Sequence, residues 1–597
     1  MSKLTRSVVL TVAVLPAIAG VQPGSPAPQP SYRNAAPRVR YVGSRPCAEC
    51  HSEIAAKYMK TAMARSIVPE ENFVLPDQAH LPFTVFDRET GESFEVSRRG
   101  GGLFQSQYAL DPKGRQIFRQ DWKIAYAIGS GDSGIGFLIH RDGYLFEAPL
   151  SYYAEHKLWS FSPGYEIHNH GFRRPVIADC VGCHSGRPRP VYGSDGLYRD
   201  PPFDEMGVGC ENCHGPGELH VAERRAGRPI AGKVDTSIVN PVRLSGWMSD
   251  NICMKCHQAG DVRVGRPGRH DEDFRPGTAL ENVMEIFKAP PPRESTSRNP
   301  VLLEHYYSMT LSKCYRSSGT LRCISCHDPH IEPTGENAAT YYRSRCQTCH
   351  DVHQCKLAVS ERQKTTPPDN CIGCHMPKRP IVTISHAALT EHRVVVREDA
   401  PLPDVAFSSS DPDSGLVRLT AVPGEPKLPP PDIILFRAYA KLIHDGHEEF
   451  RPRMNDVLGR LSHTSPSDPA VLSALARREV QKDTPEAFVK AAQYLGRSVK
   501  TEHPDREDFL LLAELYSRAD RPSDAIEVLR VGMKKNPYVP EFAESLAAEY
   551  VKSGDYKNGM DVIRRGLGLF PDDKRLRALQ KQVRSATLEG LSGTDTP

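Results

Sequence analysis

The octapeptide Cys323-Ile-Ser-Cys-His327-Asp-Pro-His330 sets the reading of the whole chain. Its first five residues, Cys-x-x-Cys-His, recur six more times, starting at Cys47, Cys180, Cys210, Cys253, Cys346 and Cys371. The second cysteines are Cys50, Cys183, Cys213, Cys256, Cys326, Cys349 and Cys374. The closing histidines are His51, His184, His214, His257, His327, His350 and His375. Together the copies take fourteen of the sixteen cysteines, so nearly all cysteine here serves one chemistry. Structural zinc needs four ligands, hence paired Cys-x-x-Cys units, yet seven is odd, and zinc does not ask for a histidine after every second cysteine. Disulfide stapling favours other spacings. Attachment of c-type haem needs all three residues: two thiols add across two vinyl groups, and the adjacent imidazole binds the iron. The pattern predicts seven covalently attached haems and their iron.

Composition fits such a chain. Its 76 basic and 73 acidic residues nearly cancel, so nothing points to nucleic acid. Hydrophobic residues make up only 39 % and there are 51 prolines, as expected where porphyrin plates supply part of the core. Lys3, Arg6, the apolar run Val8 to Ile18 and Ala17-Ile18-Ala19 read as a secretory signal over 1–19. That run is too short to span a membrane, and none is expected to cross one in the mature chain. The expected location is periplasmic or extracellular.

Residues 20–43 read as a disordered Pro/Ala/Ser-rich leader and 44–72 as a first haem segment, with a helix over Ser52–Arg65. Residues 73–165 lack cysteine and alternate as strands do (Phe83-Thr-Val85, Phe94-Glu-Val96), so they read as a β-rich insertion. Residues 166–399 carry the other six motifs as a loop- and helix-rich core. A Pro-rich linker follows at 400–431, then helical repeats over 432–585 and a tail, 586–597. In the repeats, Leu512-Ala513, Tyr516, Gly532 and Pro537 recur 34 residues on as Leu546-Ala547, Tyr550, Gly566 and Pro571. That is the tetratricopeptide period, and such arrays form an all-α solenoid used to grip proteins. The fold class is therefore multidomain: a multihaem cytochrome c module with a β-rich insertion, then a tetratricopeptide-like solenoid.

A low-spin haem needs a sixth ligand. Twelve histidines lie outside the motifs in the haem region. The candidates for that position are His168 and His170 ahead of motif two, His220, His305, His330 just past His327, His386 and His392. His80, His140, His156, His270 and His353 are set aside. Motif one has no nearby histidine, but Met63 follows it, and a thioether ligand would raise that haem's potential. Motif one thus reads as an outlier beyond the insertion. Cys314 and Cys355 remain, either as a disulfide or with one serving as a thiolate ligand.

Cys210-Glu-Asn-Cys-His-Gly-Pro-Gly-Glu-Leu-His220, Cys323-Ile-Ser-Cys-His-Asp-Pro-His330, Cys371-Ile-Gly-Cys-His-Met-Pro377 and His386…His392 resemble the multihaem cytochromes c with doubled motifs. That group is related to the hydroxylamine oxidoreductase and multihaem nitrite reductase superfamily. The resemblance covers about 44–395, and the fusion to C-terminal tetratricopeptide repeats resembles a bacterial subgroup. It implies distal-ligand roles for His220, His330 and His386 or His392. Nitrite reductases of that group use a Cys-x-x-Cys-Lys motif, and none occurs here. The expected activity is electron transfer, with a redox protein as partner, held by the repeats. The alternative is an oxidoreductase acting on a small nitrogen or sulfur compound at one five-coordinate haem, with Tyr306, Tyr307, Tyr341 or Tyr342 as proton donors.

Overall fold

The computed structural model describes residues 32–131, 134–293, 304–351, 355–380, 388–422 and 429–592. The segment read as a signal, residues 20–31 of the leader, His353 and His386 lie outside the described residues; the rest of the leader, 32–43, is not disordered but packs on motif three, where Asn34 donates to the His214 carbonyl (2.9 Å). Each motif occupies a helical turn, the last of Gly335–Cys346 leading into motif six. The closing histidine N–H bonds back four residues, His51 to the Cys47 carbonyl (2.9 Å), His327 to Cys323 (3.0 Å) and His350 to Cys346 (2.9 Å). Positions i, i+3 and i+4 therefore share one face, which is where two thioethers and one imidazole must meet a single porphyrin.

Motif one is not an outlier. Its helix Ser44–Cys50 lies against Cys210–His214 of motif three. The backbone N–H groups of Val42, Gly43 and Gly217 donate to the carboxylate of Glu211, which is 1 % exposed. The helix expected to run to Arg65 stops at Tyr58, whose hydroxyl donates to the Val208 carbonyl (2.7 Å). Beyond it, the Met63 carbonyl accepts from Val208 N (3.0 Å) and the Ser66 carbonyl from Gly129 N (2.7 Å). The chain leaves for the insertion and returns from it at neighbouring points, so the insertion loops out without separating motif one from the rest.

The insertion is two antiparallel sheets face to face. A meander of Phe83–Asp87, Glu92–Arg99, Gly102–Leu110 and Gln116–Lys123 packs on a six-stranded sheet that includes Ile67–Pro69, Tyr126–Ile128, Gly134–Arg141 and Tyr144–Glu147. Phe94, Val96, Leu103, Phe137, Phe146, Leu150 and Trp159 fill the space between them. Gln105, 1 % exposed, links the sheets: its amide donates to the Leu150 carbonyl and its oxygen accepts from Leu150 N.

The stretch read as a linker, 400–431, is built into the motif-bearing region where it is described. Val417–Arg418 pairs with Met284–Lys288, which pairs with Val262–Gly265. Glu285 in the middle strand has a side chain with no exposure, and it takes Arg266 and Arg418 as ion partners at 2.6 Å each. Composition rich in Pro and Ser shows that a segment lacks a repeating pattern; it does not show that the segment is free.

Helix pairs follow: Asp432–His444 with Arg451–Thr464, Pro469–Val480 with Pro485–Ser498, Arg506–Arg518 with Pro522–Lys535, Pro540–Lys552 with Tyr556–Leu569, and then Lys574–Ser592. Small residues stand where helices cross. A Cβ on Gly532 would strike the Phe542 ring, and one on Gly566 would strike Leu576. The first pair packs on the three-stranded sheet through Ile434, Leu435 and Tyr439 against Val262, Val264 and Phe287. Successive inter-repeat loops then touch the N-terminal half. His503 abuts Gly193, and Arg506 pairs with Asp195 (3.7 Å). Tyr538 reaches Asp142, and Asp572 pairs with Arg173.

Candidate metal centres

Three motif histidines face a second histidine ring across a gap. His51 and His220 have ring centres 6.4 Å apart at 19°, His214 and His330 6.1 Å at 22°, and His327 and His392 6.3 Å at 28°. Two metal–nitrogen bonds of ~2 Å plus roughly 1.1 Å from each nitrogen to its ring centre give about 6 Å, so each gap has the width of one iron atom.

Nδ1 is occupied on five of these six rings, and on His375 as well. Nδ1 of His214 meets the Val239 carbonyl (2.8 Å), Nδ1 of His375 the Val395 carbonyl (2.7 Å), and Nδ1 of His392 the Thr390 carbonyl (2.8 Å). His220 Nδ1 meets Asp235 (3.1 Å) and His330 Nδ1 meets Asp328 (2.9 Å), while His327 Nδ1 meets the Tyr342 hydroxyl (3.3 Å). A carbonyl or carboxylate accepts only from Nδ1–H, which leaves Nε2 as the lone-pair nitrogen. Protein packed around the rings pushes His184, His214, His257 and His392 below the usual imidazole range, and His327 to about 4. Yet the rings of His184, His257 and His327 keep solvent contact. Each ring is packed by protein on most sides and opens to solvent on one, and the lost hydration lowers its pKa. Neutral imidazole is the form a metal binds.

The motifs form a file whose order differs from the sequence. The Cys47 and Cys210 thiols lie together, pushing Cys47 up and Cys210 down to about 6. Cys213 neighbours Cys253, Cys253 lies against Cys323, Cys326 is near Cys349, and Cys346 is near Cys371. Cys183 sits on Cys256. Motif one thus meets three, three meets four, then five, six and seven, with motif two branching at four. Helix contacts agree for every step except three to four. Thioethers do not titrate, so in the haem-loaded chain these shifts mark proximity alone.

Residues 167–215 match the family model Cytochrome c554 and c-prime. The stretch spans motifs two and three, and the chain thus carries a cytochrome c554-like segment. No curated protein matches the chain. Among solved structures it is similar to the Arabidopsis OM64 TPR domain, with 14 % identity over 20 % of this chain and 95 % of that one and a TM-score of 0.18. It is similar to MamA with 15 % identity over 25 % and 84 %, at 0.22. It is also similar to a thermophilic TPR protein of Thermus thermophilus, with 18 % identity over 26 % and 81 %, at 0.21. The C-terminal region from Asp432 to Ser592 is built of paired helices.

The remaining expected ligands are placed differently. His220, not Met63, stands opposite His51, and the Met63 carbonyl is bonded by Val208 N, next to motif three. His305 stands 5.4 Å from His257 at 77°, and its ring bonds the His257 backbone, so it does not face that imidazole across a gap. His168 and His170 pair with each other (6.4 Å, 46°), with Glu541 of the repeats nearby. Cys314 and Cys355 are free thiols, which corrects the disulfide reading; Cys314 sits near Cys326 and Cys346, and Cys355 near Cys371. Among the described residues no three His, Cys, Asp or Glu side chains converge as a protein-only metal site would require, and no helix is long and apolar enough to cross a membrane. Porphyrin iron brings four nitrogens of its own and asks the protein for two.

The residues that the sequence reading missed are the outer partners. Asp328 was visible inside Cys-His-Asp-Pro-His. Asp235, Tyr342 and the three carbonyl acceptors carry no local signature.

Proposed function

We propose that this chain is an exported c-type cytochrome that carries seven haems and passes electrons along them, with the repeat region docking a redox protein. The three histidine ring pairs, with Nδ1 tied away on five of the six rings, are the observation that carries the reading. Cys-x-x-Cys-His turns would hold each porphyrin. His51, His214 and His327 would supply proximal ligands, and His220, His330 and His392 distal ones. Bound haem iron supplies a one-electron couple that needs no proton or substrate. The chain's own part is to fix imidazole orientation, to shield the plates with Tyr306, Tyr307 and Met309 of the core, and to set the motif helices side by side so that neighbouring plates adjoin.

The test is haem content and spin state of the full chain made in a host that attaches c-type haem outside the cytoplasm. Seven haems per chain by pyridine haemochrome, with a low-spin ferric spectrum unmoved by cyanide, nitrite or hydroxylamine, is the expected result. A markedly lower count overturns the heptahaem reading, and a high-spin signal that shifts with one of those ligands overturns pure electron transfer.

A further inference from the structure

We infer that Asp235 and Asp328 hold the haems of His51/His220 and His214/His330 at lower potential than the haem of His327/His392, so that electrons run from the motif-one end toward motif five. The inference rests on the haem reading above. Distal ligands on motifs one and three give their Nδ1–H to carboxylates, His220 to Asp235 Oδ2 at 3.1 Å and His330 to Asp328 Oδ1 at 2.9 Å. A carboxylate acceptor gives the imidazole imidazolate character, makes it a stronger donor and favours ferric iron.

Both carboxylates are fixed for this task. Asp235 Oδ1 is held by Ser237 N (2.8 Å) and by the Ser237 hydroxyl, which leaves Oδ2 for His220. Asp328 Oδ1 also accepts from His330 N (3.0 Å). The ligands of motif five have neutral partners, the Thr390 carbonyl and the Tyr342 hydroxyl. Asp235 is 17 % exposed and Asp328 40 %, so water screens Asp328 more and the larger effect belongs to Asp235. These aspartates are positioning residues; they act through histidine. The motif order above makes the slope useful, because motifs one and three adjoin and motif four connects them to five.

The experiment is a redox titration of the haem-loaded full chain, followed by optical and low-spin EPR spectra, with the motif-five centre assigned by its loss in His392→Ala. In wild type the motif-five centre is expected to reduce before the motif-one and motif-three centres. Asp235→Asn and Asp328→Asn keep an acceptor and remove the charge. Each is expected to raise one centre's reduction constant by about threefold or more, where tenfold is about 59 mV for one electron. Asp235→Glu is expected to return the potential toward wild type. Unchanged midpoints, or one uniform shift of all centres, would overturn the inference. Should a variant lose haem, the wild-type order of reduction decides, and motif five reducing last overturns it. Absence of low-spin haem from wild type would instead be a failure of the haem reading.

Discussion

A histidine that binds iron needs one ring nitrogen free and the other tied, and His220 meets both conditions where Met63 meets neither. Its ring faces His51 at 6.4 Å, and its Nδ1 is held by Asp235 and Ser237. His220→Ala is therefore expected to convert one of the low-spin ferric centres to high spin and to leave the others unchanged. Met63→Leu is expected to leave the EPR spectrum unchanged; loss of a low-spin signal in that variant would restore the thioether. The grouping of each motif's two cysteines and histidine on one face was legible in the sequence because one helical turn joins all three locally. The pairing of His51 with His220 was not, since no spacing rule connects His51 to a residue far beyond the insertion. His330 was readable because it leaves the same turn as His327, and its ring faces that of His214 in motif three.

At the scale of elements, a strand can anchor a segment whose composition looks like a linker. Val417–Arg418 brings Arg418 onto Glu285, and Thr420 adds its hydroxyl to the same buried carboxylate. Glu285→Ala would leave the buried Arg418 with Glu281 as its remaining carboxylate and let the quarter-exposed Arg266 turn to solvent, so a loss of about 2–3 kcal/mol is expected, measured by denaturant unfolding. An effect under about 1 kcal/mol would mean that water already screens this cluster. The repeats were legible for the opposite reason, a 34-residue recurrence of small residues where helices cross. Gly532 has no room for a side chain beside Phe542. Gly532→Val is expected to destabilise the helix pairs by about 1–3 kcal/mol while haem spectra stay unchanged, as read by thermal melts in the far-ultraviolet and at the haem bands. The insertion was legible from alternation alone, although Ile67–Pro69 joins its sheet from before the expected boundary.

Across the whole molecule, the repeats are mounted on the N-terminal half rather than tethered to it. Three successive inter-repeat loops touch it, at His503, Tyr538 and Asp572, so one edge of the array is used within the chain. Tyr538 makes several contacts at once. Its hydroxyl donates to Asp142 (2.6 Å), its ring packs edge-on to Tyr144 (4.9 Å) and Phe146 (5.0 Å), and Arg141 lies over it at 4.9 Å. These partners sit on the hairpin of Gly134–Arg141 and Tyr144–Glu147, which also carries Phe137 and Ile139 into the insertion's core. Removing the ring deletes partly buried apolar area and leaves the exposed Asp142 to water, a cost of about 1–3 kcal/mol. Tyr538→Ala is therefore expected to speed hydrogen exchange along that hairpin and along 536–540, with the helices Pro469–Val480 and Pro485–Ser498 as slow as before. A dangling array would show no change in the hairpin, and that result would refute the mount. A docked edge also bears on partner capture. If a redox protein is gripped by the helix faces away from this edge, Tyr538→Ala should leave its affinity intact while the hairpin loosens, because the two surfaces are different.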